Sequence, residues 1–154
     1  MITAYRIVRV EFAENAFSGR SGLQFAARWN VAGVRIVYTA QSASLAVLEV
    51  LVHMRQAGTK LPEFLMAECT FPEALVQTLD CKRLPSNWFE TPPPAEVQQL
   101  GMEWLAGRSS AVLAVPSAIV PTEVNYLLNP EHDDFRSIDF GPLQPFSLDW
   151  RLVN

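Results

Sequence analysis

The chain has 154 residues, of which 49% are hydrophobic and 18% charged, a composition typical of one compact globular domain rather than of a disordered chain. Its net charge of −4 and the scattered positions of its twelve Lys and Arg residues argue against direct nucleic-acid binding, which needs a basic patch. A discrete anionic ligand is compatible with this charge, because one or two well-placed arginines are sufficient to bind a phosphate.

The sequence predicts neither a membrane segment nor a metal site. The N-terminal residues lack the hydrophobic core of a signal peptide, and no apolar stretch is long enough to span a bilayer. Cys69 and Cys81 lack the close pairing of a zinc site, and two thiols do not form a disulfide framework. We therefore expect a soluble, cytoplasmic, single domain over residues 1–154, with reduced thiols and no metal.

The N-terminal third of the chain predicts two strands followed by a helix. The strand segments, rich in β-branched and aromatic residues, are 5–12 and 34–38. Ser42 or Ser44 can cap the helix, which we expect to run to about Gln56 because Gly58 is a natural stop.

The rest of the chain predicts further short strands and one more helix. The strand segments are 64–71, 74–79, 112–115, 137–140 and 146–152. Residues 95–106 predict a helix that Pro92–Pro94 introduces and Gly107 closes. Many short strands combined with two main helices indicate an α+β fold rather than a regular βαβ alternation.

Glu49 is the most informative residue, because it is a lone carboxylate in an apolar segment of helix length, Ala43–Met54. Burying a carboxylate is costly unless cations, hydrogen-bond donors or a ligand compensate for it. Glu49 and His53 are spaced i, i+4 and so share a helix face. A second face, which we expect to enter the core, has three aliphatic residues, Leu45, Leu48 and Val52.

Candidate partners for Glu49 lie on both sides of it in the sequence. Arg28 offers a fork of donors suited to phosphate or carboxylate, and Trp29 adds a stacking surface. Tyr38 follows in a short strand, Ser117 comes directly after a buried strand, and Asn125 lies in a later polar segment.

Structural roles are the alternatives at each of these positions. Glu49 could form a structural ion pair with Arg28 or Arg6, and Arg28 could form a cation–π pair with its neighbouring tryptophan. For His53 we favour a structural role, as a helix-end histidine bonded to a backbone carbonyl. Tyr38 and Asn125 could equally be a buried tyrosine and a turn residue.

In their order and spacing, these segments together resemble the RES domain family, named for an arginine, a glutamate and a serine. The matching segments are Arg28-Trp29-Asn30, Gly33, Val37–Ala40, Ser44–Glu49 with His53, Val115–Pro121, Asn125–His132 and the family's closing strand, Phe146–Leu152. One departure is that Ala26 and Ala27 stand where the family usually has two glycines, so a backbone angle open only to glycine would be lost.

The resemblance implies a fold similar to that of ADP-ribosyltransferases, with an α+β core and a cleft for a dinucleotide. It also implies a toxin of a bacterial toxin–antitoxin pair that takes NAD as its substrate. Such a toxin degrades NAD by hydrolysis or phosphorolysis, or transfers ADP-ribose to a host protein target. A catalytically inactive module that only binds its partner is the third alternative.

The implied partner is an antitoxin with a DNA-binding region that blocks the active site, and a homodimer of the toxin within that complex is left open. The resemblance also assigns roles to the candidate residues. Glu49 stabilises positive charge on the ribose during bond cleavage, and Arg28 grips the pyrophosphate or a ribose. Tyr38 stacks on the nicotinamide ring or closes one wall of the site, Ser117 orients a ribose or Glu49, and Asn125 is a further binding residue.

Overall fold

Eight strands form one mixed sheet in the computed structural model, which describes residues 1–54 and 61–153. The strands are β1 (Ile2–Arg9), β2 (Val37–Ala40), β3 (Phe64–Phe71), β4 (Val76–Thr78), β5 (Val112–Pro116), β6 (Val124–Leu128), β7 (Asp139–Phe140) and β8 (Gln144–Phe146). Seven follow the order β4-β5-β6-β2-β1-β3-β7, and β8 pairs with β3 beside β7. Only β4 and β5 pair in parallel among these strands.

Three α-helices accompany the sheet in the described chain: α1 (Ser21–Gln24), α2 (Ala43–Met54) and α3 (Ala95–Gly107). The start of α2 matches the sequence prediction, because the Ser42 hydroxyl accepts a hydrogen bond from the Leu45 backbone N–H at 3.0 Å. The predicted helix end at Gln56 and the stop at Gly58 lie outside the described residues. No helix in the described ranges is long and apolar enough to cross a membrane.

Both longer helices cover the same face of the sheet. Tyr5 of β1 packs against Leu45 of α2, and α3 packs in one cluster with Leu127 of β6. Tyr5 pairs with Ala40 of β2, and Tyr38 of β2 pairs with Leu127. Because paired residues point to the same face of a sheet and residues i, i+2 do so as well, α2 and α3 lie side by side. The opposite face has its own core, which includes Ala4, Val37, Phe71, Val112, Leu128 and Ile138.

The α+β prediction is confirmed, but the predicted second core face of α2 is wrong. Leu45 is buried as expected, whereas Leu48 is 39% and Val52 is 45% exposed. The sheet covers only one side of α2, and its buried residues there are Leu45 and Ala46. Leu48 and Val52 are one helical turn apart on an uncovered side, where single apolar residues are common in proteins.

Several strand predictions need correction, and the predicted segments 34–38, 74–79 and 137–140 each begin two or three residues before the observed strands β2, β4 and β7. The first strand is Ile2–Arg9 rather than 5–12, because a 3-10 helix begins at Val10. Residues 146–152 are not a strand: β8 ends at Phe146, and Asp149 then caps a 3-10 turn by accepting from the Arg151 N–H. The central strand β6 was not predicted, since its polar N-terminal half reads as a turn. By contrast, the predictions for β3 and α3 are confirmed to within one residue.

Candidate active site

The structure brings Glu49, Ser117 and Asn125 together from three separate elements. Ser117 directly follows β5, and Asn125 lies on the adjacent β6, where it pairs with Val115. Glu49 lies on α2, which packs over the same face of the sheet. The side chains of Asn125 and Ser117 both lower the pKa of Glu49 by hydrogen bonding, which places them at its carboxyl group.

Burial nevertheless outweighs these groups, and the pKa of Glu49 is raised above its ordinary value. The positive charges of His53 and Arg28 oppose this shift together with the two hydrogen bonds. His53 itself is exposed near the end of α2, one turn beyond Glu49. The site therefore holds a half-buried carboxyl group whose charged form the surrounding protein compensates only in part.

Arg28 is anchored by neutral acceptors. Its Nη1 donates to the backbone oxygens of Trp88 and Glu90 at 2.9 and 2.8 Å, and its Nη2 donates to Thr91 Oγ1 at 3.1 Å. A guanidinium has five N–H groups. Among the described residues these three bonds are its protein contacts, which leaves two N–H groups to bind a ligand. Burial lowers the pKa of Arg28, and the charge of Glu49 opposes that shift.

The structural ion pair considered for Glu49 is not found in residues 1–54 and 61–153. Neither Arg28 nor Arg6 has a carboxylate oxygen within 4.0 Å there. Arg6 instead donates to the backbone oxygens of Ala16 at 2.6 Å and Tyr38 at 2.7 Å, and burial lowers its pKa to about 10. The charge of Arg28 thus acts on Glu49 at longer range and is not neutralised by a direct partner.

The tight turn that carries Arg28 and Trp29 is fixed at both ends. Ala27 and Asn30 exchange backbone hydrogen bonds of 3.0 and 3.4 Å across the turn. Gln98 of α3 donates from Nε2 to the backbone oxygens of the same two residues, at 3.0 and 3.3 Å. The turn therefore cannot shift without breaking contacts to α3.

Alanine at positions 26 and 27 fits this turn. Among the described residues, Arg108 is the single non-glycine residue with a positive φ, so neither Ala26 nor Ala27 has a left-handed backbone. The departure from the family's two glycines therefore imposes no backbone strain at the site.

The Tyr38 hydroxyl supports the same turn. It donates to Asn30 Oδ1 at 2.6 Å and accepts from the Trp29 backbone N–H at 3.1 Å. Burial is the main reason that the pKa of Tyr38 is raised, so the phenol stays protonated. The hydroxyl is engaged within the protein, and the predicted stacking of the ring on nicotinamide stays a prediction.

Ser117 and Asn125 are oriented by backbone groups. Ser117 is fully buried, and its Oγ accepts from the N–H groups of Ile119 and Val120, both at 3.1 Å. Its hydroxyl proton is therefore directed elsewhere, consistent with donation to Glu49. Asn125 uses one amide N–H on the Thr39 carbonyl oxygen at 3.2 Å, which leaves its second N–H for the carboxylate.

Sequence reasoning missed Gln98 and the segment from Trp88 to Thr91. Both contact the Arg28 turn from about 60 to 70 residues further along the chain. Most of these bonds involve backbone oxygens, which every residue type has, so the sequence contains no signal for them. No group of three or more metal-binding side chains occurs within the described ranges.

The fold and the site together define a small mixed-sheet domain in which a half-buried carboxylate lies near a buried serine and near an arginine that has no ion pair among the described residues. A family model described as "RES domain" matches residues 3–150. The chain belongs to the RES domain family, as its sequence motifs predict.

Known proteins similar to this chain include several toxins. "Toxin Res" of Yersinia enterocolitica is 39% identical over 150 residues, covering 96% of this chain and 97% of that protein. "Prs ADP-ribosylating toxin" of Sphingobium sp. is 35% identical over 129 residues, covering 82% and 80%. The fold also matches a chain of the M. tuberculosis MbcT–MbcA toxin–antitoxin complex, with a TM-score of 0.77 and 18% identity over 95% of this chain and 84% of that chain.

Proposed function

We propose that this chain is the toxin of a toxin–antitoxin pair and that it cleaves the nicotinamide–ribose bond of NAD. The observation that carries the proposal is Glu49, a half-buried carboxylate held by Ser117 and Asn125 and left without a direct ion pair in the described residues. The names of the relatives support the same class, since two of them are called toxins and one of these ADP-ribosylating.

The chemistry needs a carboxylate more than it needs an acid. When the bond between ribose C1′ and the nicotinamide nitrogen breaks, its electron pair leaves with nicotinamide, which becomes neutral. Positive charge then develops on the ribose as an oxocarbenium ion, and the Glu49 carboxylate stabilises it. The stabilisation is stronger in a half-buried site than in water, because the surroundings screen the charges less.

The other residues bind and orient. Arg28 has two unused N–H groups beside its three protein contacts, which matches two oxygens of a pyrophosphate. Ser117 and Asn125 lower the pKa of Glu49 by hydrogen bonding and so favour the charged form that stabilises the ribose cation. Tyr38 keeps the Arg28 turn in place through its hydroxyl.

Water or phosphate then adds to C1′ on the ribose and loses a proton, giving ADP-ribose or its 1″-phosphate. Transfer to a protein is the second candidate, and the name of the Sphingobium relative favours it. An inactive partner-binding module is the third, and it is the weakest, because the contacts of Glu49, Ser117 and Arg28 are intact.

Chromatography of NAD incubated with the purified chain separates these candidates. We expect nicotinamide and ADP-ribose in phosphate-free buffer, or the 1″-phosphate when phosphate is required. NAD loss only when a cell extract is added would favour a protein acceptor. No loss under any of these conditions, by a protein that still binds its partner, would support the inactive module.

The partner we propose is an antitoxin that covers the cleft and carries a DNA-binding region of its own. The fold match to a chain of a toxin–antitoxin complex supports such a partner. The toxin would act in the cytoplasm, where its substrate is. Co-expression tests the partner: the product of a neighbouring gene should co-purify with this chain and suppress NAD loss in proportion to its amount.

A further inference from the structure

A turn of the chain wraps around the Arg28 guanidinium. The Glu90 backbone N–H donates to the Asn87 oxygen at 3.0 Å and closes the turn. The backbone oxygens of Trp88 and Glu90 both accept from Nη1 of Arg28. Phe89 lies between these two residues in the chain, so it belongs to the turn that holds the guanidinium.

Phe89 is exposed, whereas its neighbour Trp88 packs against the core. Its side chain is 55% accessible, and its ring meets that of Trp88 edge to face, with centroids 6.0 Å apart and planes at 88°. Trp88 in turn packs against the core cluster under α3. The edge-to-face contact orients the Phe89 ring, and its exposure leaves ring surface accessible to a ligand.

We propose that Phe89 is the stacking platform for the adenine ring of NAD. The proposal rests on the proposed function, in which Arg28 binds the pyrophosphate and Glu49 faces the nicotinamide ribose. Adenine is joined to the pyrophosphate through a single ribose, so a base can reach a ring beside that arginine. A purine stacks on an exposed phenyl ring without needing hydrogen bonds to it.

Three substitutions test the platform. For Phe89→Ala we expect the KM for NAD to rise about 5- to 150-fold, the range that a base–ring stack of ~1–3 kcal/mol predicts, with kcat within about twofold. Phe89→Tyr should restore KM to within about twofold, because it keeps the ring. Phe12→Ala is the control: Phe12 is a similarly exposed phenylalanine, at 59%, in the 3-10 segment after β1.

Binding measurements assign the effect to adenine. By calorimetry, Phe89→Ala should weaken ADP-ribose by the same factor and leave nicotinamide mononucleotide, which lacks adenine, unchanged. Equal weakening of both ligands would overturn the platform, because it would mean that the turn only supports Arg28. An effect of Phe25→Ala in place of Phe89→Ala would also overturn it, since Phe25 is 67% exposed on the neighbouring turn.

The same experiment separates this proposal from the proposed function. Wild-type protein that binds ADP-ribose in a Phe89-dependent way but leaves NAD intact would sink the activity and keep the platform. Normal NAD cleavage with unchanged KM in Phe89→Ala would keep the activity and sink the platform. Wild-type protein that binds neither ligand would overturn both.

Discussion

At the scale of single residues, the site depends on a carboxylate that the fold does not stabilise well. Burial raises the pKa of Glu49, and the side chains of Asn125 and Ser117 compensate only in part. Such an arrangement costs stability and is retained where a function needs it. The cost gives a pH-dependent prediction.

Glu49→Gln should stabilise the protein above the raised pKa of Glu49. A carboxyl group whose folded pKa is raised contributes stability that is complete below its unfolded pKa and is lost as pH rises through the folded pKa. Above the raised pKa of Glu49 the wild type holds a partly buried charge, which lowers its free energy of unfolding, whereas a glutamine there is neutral at every pH. We expect a higher Tm for the variant near pH 7.5, and a smaller difference at pH values below the ordinary 4.5 of a glutamate.

Glu103→Gln is the control for this Tm measurement. Glu103 forms an exposed ion pair with Arg83, with side-chain exposures of 49% and 53%, so its removal should change stability by no more than about 0.5 kcal/mol. If Glu49→Gln had a lower Tm than the wild type at neutral pH, the charged form of Glu49 would not be destabilised by burial, and that part of the account would be wrong.

Arg28→Ala should mainly weaken NAD binding. The two N–H groups that remain after its contacts to Trp88, Glu90 and Thr91 would each be lost to the pyrophosphate. Hydrogen bonds to charged groups contribute about 1.5–3 kcal/mol each, so the loss of both should raise KM by roughly 10²- to 10⁴-fold. Arg28→Lys keeps the charge without the fork and should give an intermediate KM.

Unfolding measurements accompany these two variants, because Arg28→Ala also removes partners from three acceptors. Its KM and kcat would both remain at the wild-type values if Arg28 were only a structural residue outside the binding site, and that result would count against the proposal.

At the scale of elements, α3 holds the turn that presents Arg28. Gly101 of α3 lies against the backbone of Trp29, and a Cβ atom added at Gly101 would collide with the Trp29 carbonyl oxygen. It would also lie 2.8 Å from the Trp29 carbonyl carbon, and a backbone cannot move aside as a side-chain tip can. Glycine is therefore required by close packing rather than by a turn.

Gly101→Ala should destabilise the protein by about 1–3 kcal/mol and raise the KM for NAD, because the Arg28 turn must shift. Gly107→Ala, at the end of the same helix, is the matched control, since an added Cβ there meets nothing within 4 Å. That control should be neutral or stabilising by up to about 1 kcal/mol. Urea unfolding and NAD kinetics of both variants check the prediction, and equal effects at the two glycines would refute it.

Elements with a clear period could be predicted from the sequence, and those defined by long-range contacts could not. The β3 segment alternates, and α2 is a long apolar run with a serine at its start. The start of β6 was missed because Asn125 has the preferences of a turn residue. Its place in a strand follows only from the pairing of β6 with β2 and β5. The core side of α2 could not be predicted either, since its apolar residues surround the whole helix.

Within the site, the residue types were predicted and their supports were not. Ser117, Asn125 and Arg28 all act on the pKa of Glu49, and their roles in binding and catalysis stay a prediction. The role of the Tyr38 hydroxyl in the Arg28 turn, and the contribution of Gln98, follow only from the three-dimensional contacts. Side chains that act through backbone oxygens leave no pattern in a sequence.

At the scale of the whole molecule, the sheet brings these parts together. β2 and β6 are neighbours at its centre, so Tyr38 and Asn125 lie on adjacent strands, while Ser117 follows the next strand, β5. The two longer helices share one face of the sheet, where α2 carries Glu49 and α3 contacts the Arg28 turn through Gln98. The function that we propose uses this arrangement, with the reactive ribose of a dinucleotide at Glu49 and its pyrophosphate at Arg28.

The most direct test is nicotinamide release from NAD by purified wild-type and Glu49→Gln protein, followed by chromatography. We predict release by the wild type and a rate lower by on the order of 10²–10³ for the variant, which is typical of losing one transition-state stabiliser. Glu103→Gln should cleave NAD at the wild-type rate. Cleavage by Glu49→Gln at the wild-type rate would contradict the account, because the carboxylate would then have no part in the reaction.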